Sequence, residues 1–171
     1  FHHWELEYAD VFEKRGGFDL VIGNPPWLRL DWQEQGILGE INPKIMVKKL
    51  SATQITKDRN EILSCDKNLK MYLEEYEAIA GTQKFLNSIM NYEDLMGVQT
   101  NLFKCFLPQA WMIGTIEGVS SFIHPDGIYE DPKGGILREK LNQKLRMHLQ
   151  FINEKMLFDI DHHVKFSLNI Y

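Results

Sequence analysis

The tetrapeptide Asn24-Pro25-Pro26-Trp27 closes the apolar run "FDLVIG" at 18–23. Asn24 brings a side-chain carbonyl acceptor and an amide donor. The Pro25 carbonyl is a second acceptor, in a backbone that two consecutive prolines stiffen and remove from ladder pairing. Trp27 adds a flat π face on which a base or another apolar group can stack. Two acceptors beside a plane suit an exocyclic NH2 on a planar ring. Accepting both of its N–H bonds favours a pyramidal nitrogen whose lone pair is free to attack, and no acidic base is required.

A strand has to carry this group. The run at 18–23 reads as a short parallel strand buried on both faces, and ligands of open α/β sheets sit beyond the carboxyl ends of such strands. Residues 1–17 read as a short strand or extended lead-in closed by Gly16-Gly17. Residues 28–66 show no sustained period, and "NPKIMVKKL" and "TKDRNE" carry local positive charge. Residues 68–90 have helical spacing, weakened by Gly81. "TNLFKCFLPQAWMI" reads as a helix with Thr100 or Asn101 as N-cap, kinked or cut short by Pro108. Residues 114–125 read as a strand ending at a proline, "DGIYEDPKGG" as a loop, and 136–148 as an amphipathic helix with Ile136, Leu137, Leu141, Leu145 and Met147 on its apolar side. Lys133, Arg138, Lys140, Lys144 and Arg146 make its other side basic. A solvated face explains that charge more simply than DNA phosphate contact does. "LQFINEK" and "HVKFSLNIY" read as two more strands, an antiparallel pair at one sheet edge. The order is that of an α/β fold.

The bulk numbers fit one domain of 171 residues with a sizeable core; 44% hydrophobic and 25% charged residues exclude a largely disordered chain. A net charge of −5 argues against an overall electrostatic nucleic-acid clamp. Cys65 and Cys105 make no CxxC pair, so neither a disulfide framework nor a zinc cluster is expected. No metal is expected. No apolar run approaches the roughly 20 residues that span a bilayer, and "FHHWELEYADVF" is not a signal peptide. The expected location is a bacterial or archaeal cytoplasm, without membrane contact. The chain lacks an initiator Met and reads as part of something longer.

"FDLVIGNPPW" resembles motif IV of the N6-adenine DNA methyltransferases, (D/N/S)-P-P-(Y/F/W). "HWELEYADVF…GGFDLVIGNPPW" resembles the large restriction–modification enzymes, type IIG-like, and related phage-defence methylases. "TNLFKCFLPQAW" is similar to their motif V, "GVSSFIHPDGIYEDPKGGILREKL" to the strand and helix that follow, and "FINEKMLFDIDHHVKFSLNIY" to the region around motif VIII. Residues 28–97 resemble nothing informative and read as a long insert within a single partial domain, 1–171.

The resemblance implies a Rossmann-like, S-adenosylmethionine-dependent fold of which this chain is the second half. It implies that Asn24 and the Pro25 carbonyl take the amine of a flipped-out adenine in double-stranded DNA, with Pro26 holding the turn and Trp27 stacking on the base. Phe166 first and Phe158 second are candidates for the opposite wall, and each reads equally well as a core aromatic. Asn101 and Phe103 match motif V, near the cofactor's adenine, although helix capping also accounts for Asn101. His162 and His163 read as surface residues, or as contacts to DNA or a carboxylate.

The family's glycine-rich cofactor turn has no match here. Gly16-Gly17 and Gly23 lack its spacing and its following helix. The acidic residue that grips the cofactor's ribose and the target-recognition domain are missing as well. The parent enzyme is expected to supply an N-terminal cofactor-binding segment and a C-terminal recognition domain, and strand 18–23 to expose an edge through which copies associate. Two other readings stay open. The motif also serves protein-glutamine and RNA methyltransferases, although residues 28–99 make the spacing to "TNLF" unusually long for them. A non-catalytic DNA-binding remnant is the other. The absent turn predicts that the isolated chain binds S-adenosylmethionine weakly or not at all; micromolar affinity by titration calorimetry would contradict this.

Overall fold

Aromatic residues at positions 4, 8 and 12 organise the start of the chain. Their spacing puts them on one helix face. The computed structural model describes residues 2–47, 51–99 and 101–171, and it places helices α1 (Trp4–Glu7) and α2 (Ala9–Arg15) here. They replace the strand or extended lead-in expected from the sequence. The three rings meet Phe18 edge-on at 5.9, 5.4 and 5.5 Å. Gly16 then ends α2 in the left-handed conformation, φ 76°. At Gly17, φ 146°, a Cβ would lie 2.5 Å from the Ile113 carbonyl oxygen. The glycine pair therefore supplies a turn and then a close approach.

The chain divides into two compact units, Phe1–Arg29 with Leu86–Tyr171, and Leu30–Phe85. The second contains α3 (Glu34–Ile41), α4 (Lys44–Val47), α5 (Ala52–Ile62) and all but the last residue of α6 (Asp66–Leu86). α3 to α5 are helical where the sequence shows no sustained period, and α6 covers most of the helix expected over 68–90. Ser51 and Gln54 form a reciprocal capping box at the start of α5. Leu38 and Ile45 are fully buried. Glu34 accepts hydrogen bonds from Tyr72 at 2.6 Å and Arg59 at 3.3 Å. Burial, then the Glu34 bond, pushes the Tyr72 hydroxyl up to about 12. Gly81 does not interrupt α6. Of the basic run noted above, Lys48 and Lys49 lie outside the described residues.

The first unit carries the sheet. Strand β1 (Phe18–Gly23) is followed, after the other unit, by α7 (Leu102–Ile113), β2 (Gly114–Pro125), α8 (Gly127–Glu130), α9 (Gly135–Lys144), β3 (Met147–Ile152) and β4 (Lys165–Ile170). The strand order is β1-β2-β4-β3, with β1 parallel to β2 and β4 antiparallel to both neighbours. The expected antiparallel edge pair is present. Pro108 does not end α7 early: the helix continues to Ile113, because Leu107, Ala110 and Ile113 are buried and their packing outweighs one lost backbone bond. Thr100, the other candidate cap, lies outside the described residues. Helix α9 stops at Lys144, so Met147 belongs to β3 rather than to the helix.

The two faces of this sheet reverse the usual pattern. One face carries Phe122 and His124 of β2, Ser167 and Asn169 of β4, and His148 and Gln150 of β3, as the cross-strand register requires. Phe103 of α7 stacks on His124, with ring centres 5.4 Å apart. Buried polar groups have to pair. The His124 Nδ1–H donates to the Pro125 carbonyl at 3.0 Å, and Nε2 meets Asn169 Nδ2 at 3.0 Å and the Tyr171 hydroxyl at 2.8 Å. Burial holds the His124 pKa below its ordinary value, which keeps the ring neutral. The Tyr129 hydroxyl donates to Asn169 Oδ1 at 2.8 Å.

The opposite face is apolar and open. Leu20 and Ile22 of β1 are 56% and 71% exposed, and Leu149 and Phe151 of β3 are 43% and 48% exposed. Val119, Ile123, Leu168 and Ile170 lie between them, half-buried. β1 is thus not buried on both faces, as its composition suggested: it is an edge strand with one face bare. Exposed apolar faces of this kind mark contact surfaces. Ile22→Lys and Leu149→Lys should shift stability by no more than about 0.5 kcal/mol and reduce concentration-dependent association. Sedimentation velocity showing a monomer in the parent chain, or unchanged association in both variants, would contradict this.

Candidate functional site

The parallel pairing of β1 and β2 ends at Gly23 and Phe122. Beyond it the chain crosses the end of β2. Asn24 is exposed there and has no partner among the described residues, Pro25 is buried and Pro26 is exposed. Trp27 is half-buried, and its indole N–H donates to the Ile123 carbonyl at 3.2 Å. The backbone is then tied to the start of α7: Leu102 N–H donates to the Leu28 carbonyl at 3.0 Å, and Arg29 pairs with Asn101. No sequence period announces this bridge.

Trp27 faces both candidate wall residues. Its ring centre lies 4.7 Å from Phe158 and 5.9 Å from Phe166, each plane tilted by 38°. Phe158 and Phe166 meet edge-on at 4.9 Å. Phe166 is 6% exposed and stacks on Phe151 at 5.6 Å, so it lies in the core. Phe158, on the loop between β3 and β4, is nearer the indole. A base sandwiched between two rings needs roughly 7 Å between their planes. The gap between Trp27 and Phe158 is therefore closed as it stands.

Asn101 caps α7, its Oδ1 accepting from Phe103 N–H at 3.4 Å. Phe103 is 2% exposed. Both residues line a cavity of about 840 Å³ with Arg29, Lys104, Pro125 and Lys133. Lys104 donates to the Asp131 carboxylate at 2.7 Å in a largely buried pair.

Four of the five cations on the basic side expected for the helix over 136–148 have partners inside the chain. Arg138 donates to the Asp131 carbonyl, Lys140 pairs with Asp94, the Lys144 ammonium sits 5.6 Å from the Trp111 ring centre, and Arg146 donates to the Gly118 carbonyl at 3.4 Å. The Lys133 side chain is exposed. His163 and His162 lie 3.2 and 3.9 Å from the Asp161 carboxylate, all three exposed. The carboxylate partner considered for this pair is therefore Asp161. Hydrogen bonding from the His163 backbone holds the Asp161 carboxyl below its usual range.

The family model of the Eco57I restriction-modification methylase matches residues 1–58. That stretch includes α1, α2, β1 and the whole tetrapeptide, and it supports a restriction-modification methylase, a transferase for which S-adenosylmethionine is the usual cofactor. Phe158 and Phe166 lie outside the matched residues. The mixed α/β architecture with a four-stranded sheet is compatible with a methyltransferase-like fold. No curated protein matches the chain. Among the described residues no helix is long and apolar enough to cross a membrane.

The Lys104 hydrogen bond is the largest cause holding the Asp131 carboxyl below its usual value. Such a group stabilises the fold above the unfolded carboxyl's pKa of about 4, and the contribution disappears as pH falls through the lowered folded value. Asp131→Asn should cost about 2 kcal/mol at neutral pH, with the gap to the parent chain closing in strong acid. Urea unfolding across pH, with a gap independent of pH, would contradict this assignment.

Proposed function

We propose that this chain carries the amine-capturing half of an S-adenosylmethionine-dependent N6-adenine DNA methyltransferase of restriction–modification type. The observation that carries the reading is Asn24, exposed and without a partner among the described residues at the carboxyl end of β1, next to an indole fixed on β2 and facing Phe158. The Asn24 side-chain carbonyl and the Pro25 carbonyl accept the two N–H bonds of the target amine, Pro26 keeps the turn rigid, and Trp27 is the stacking plane. Duplex DNA has to deliver the adenine extrahelically. The contribution of these residues is positioning. The methyl donor's turn comes from elsewhere in the same enzyme, and so does the domain that reads the DNA sequence.

Two observations support this reading over a glutamine or RNA methyltransferase. The matched family is a restriction-modification methylase, and residues 30–85 form a compact unit of their own directly after the tetrapeptide. The strand order, with β4 reversed between β2 and β3, supports a partial Rossmann-like sheet.

In the full enzyme, Asn24→Ala should lower methyl transfer to DNA by at least about 100-fold while DNA affinity stays within a few-fold. Radiolabelled methyl transfer measured beside a gel-shift titration tests this. Equal losses of both would make Asn24 a structural residue, and transfer to a release-factor glutamine instead of DNA would overturn the substrate.

A further inference from the structure

Asn153 follows β3, at the neck of the hairpin that carries Phe158, and it is 0% exposed. Its side chain is engaged almost wholly with one neighbouring peptide. Oδ1 accepts from Phe158 N–H at 3.1 Å, and Nδ2 donates to the Phe158 and Ile160 carbonyls at 3.0 Å each. The Asn153 N–H donates to the Val164 carbonyl at 3.1 Å, across the hairpin neck. Ile160 N–H also donates to the Phe158 carbonyl, at 2.9 Å. Between Asn153 and Phe158 the chain reverses at Met156 in the left-handed conformation, φ 51°. Both polar groups of the Phe158 backbone are thus held, while its side chain meets the rings of Trp27 and Phe166.

We propose that Asn153 is a positioning residue of the base pocket: it fixes the Phe158 peptide at its N–H and its C=O, so the pocket opens by rotation of the Phe158 ring and not by opening of the hairpin loop. The inference rests on the reading of Trp27 as the stacking plane. The gap between Trp27 and Phe158 is too narrow for a base, so one ring has to move. Trp27 is tied to β2 through its indole N–H, whereas the Phe158 ring makes no such bond. A buried amide whose donors and acceptor are all matched is expensive to disturb, so the loop backbone stays in place while the phenyl ring swings about its side-chain torsions.

The test uses the full enzyme and a DNA duplex carrying 2-aminopurine opposite an abasic site, a probe whose extrahelical base is quenched on stacking. Hydrogen exchange at the Phe158 amide is followed in the same samples. The parent enzyme should quench the probe, with Trp27→Ala abolishing the effect, and the Phe158 amide should stay protected when the probe binds. Asn153→Ala should release that amide to exchange and weaken probe binding by about tenfold. Asn153→Asp retains the acceptor for the Phe158 N–H and loses both donors. It should protect the amide better than alanine does while still weakening binding, and it is measured in place of alanine if the alanine variant does not fold. Quenching that is unaffected by loss of the Asn153 amide, or Phe158 exchange that rises on probe binding, overturns this inference alone. Absence of quenching by the parent enzyme overturns the reading of Trp27 and this inference with it.

Discussion

The indole N–H of Trp27 reaches the Ile123 carbonyl only because β1 and β2 run parallel and finish side by side. Much of the site depends on that register. A strand bonded antiparallel to β2 would carry the tetrapeptide to the other end of the sheet, away from Phe158 and Phe166. The prolines take part in the same constraint. They cannot extend the ladder, so the backbone leaves the sheet where β2 also ends, and the next residue is free to turn its ring across the neighbouring strand. The Leu28–Leu102 and Arg29–Asn101 bonds then fasten the departing chain to the start of α7.

The same sheet explains why its two sides carry such different residues. The face on which α7 packs holds His124, His148, Gln150, Ser167 and Asn169, and the tyrosines that pair with them. Their mutual bonds substitute for water and fix side-chain directions more narrowly than an aliphatic layer can. The other face has no such network, and its Leu, Ile and Phe side chains stand open. At its upper end, however, Phe166 and Phe151 run directly into the Trp27 cluster. The candidate pocket is the rim of an apolar surface.

Much of this was legible in the sequence, and the failures have particular causes. The bounds of β1 and β2 follow from apolar runs closed by prolines at 25 and 125. The edge pair followed from two short runs with a brief link. The lead-in was misread because Trp4, Leu6 and Tyr8 alternate with Glu5 and Glu7 in a way that imitates a strand; only the common target of Trp4, Tyr8 and Phe12, Phe18, shows the helical spacing. The Ser51–Gln54 capping box was present in "SATQ" as a helix start, but it was obscured by the lysines around it. Phe158 and Phe166 were indistinguishable as letters. Their difference is tertiary, since one lies in the core and the other faces the indole. Asn153 gave no signal, because an asparagine after a strand reads as an ordinary turn residue.

The separation of β1 from its partner has a consequence for the order of assembly. β3 and β4 are joined by a short link and β2 lies not far before them, so their pairing closes small loops. β1 has to find β2 across a sequence separation of 96 residues, the interval between Trp27 and Ile123. Loop-closure entropy grows with length, and contacts of high separation form late. On the ribosome the Asn-Pro-Pro-Trp segment is made before β2 and docks late in folding. Through that interval the tetrapeptide is a tethered end awaiting a three-stranded sheet, and the Trp27 indole bond to Ile123 serves as a latch, closing only after the rest of the sheet has formed.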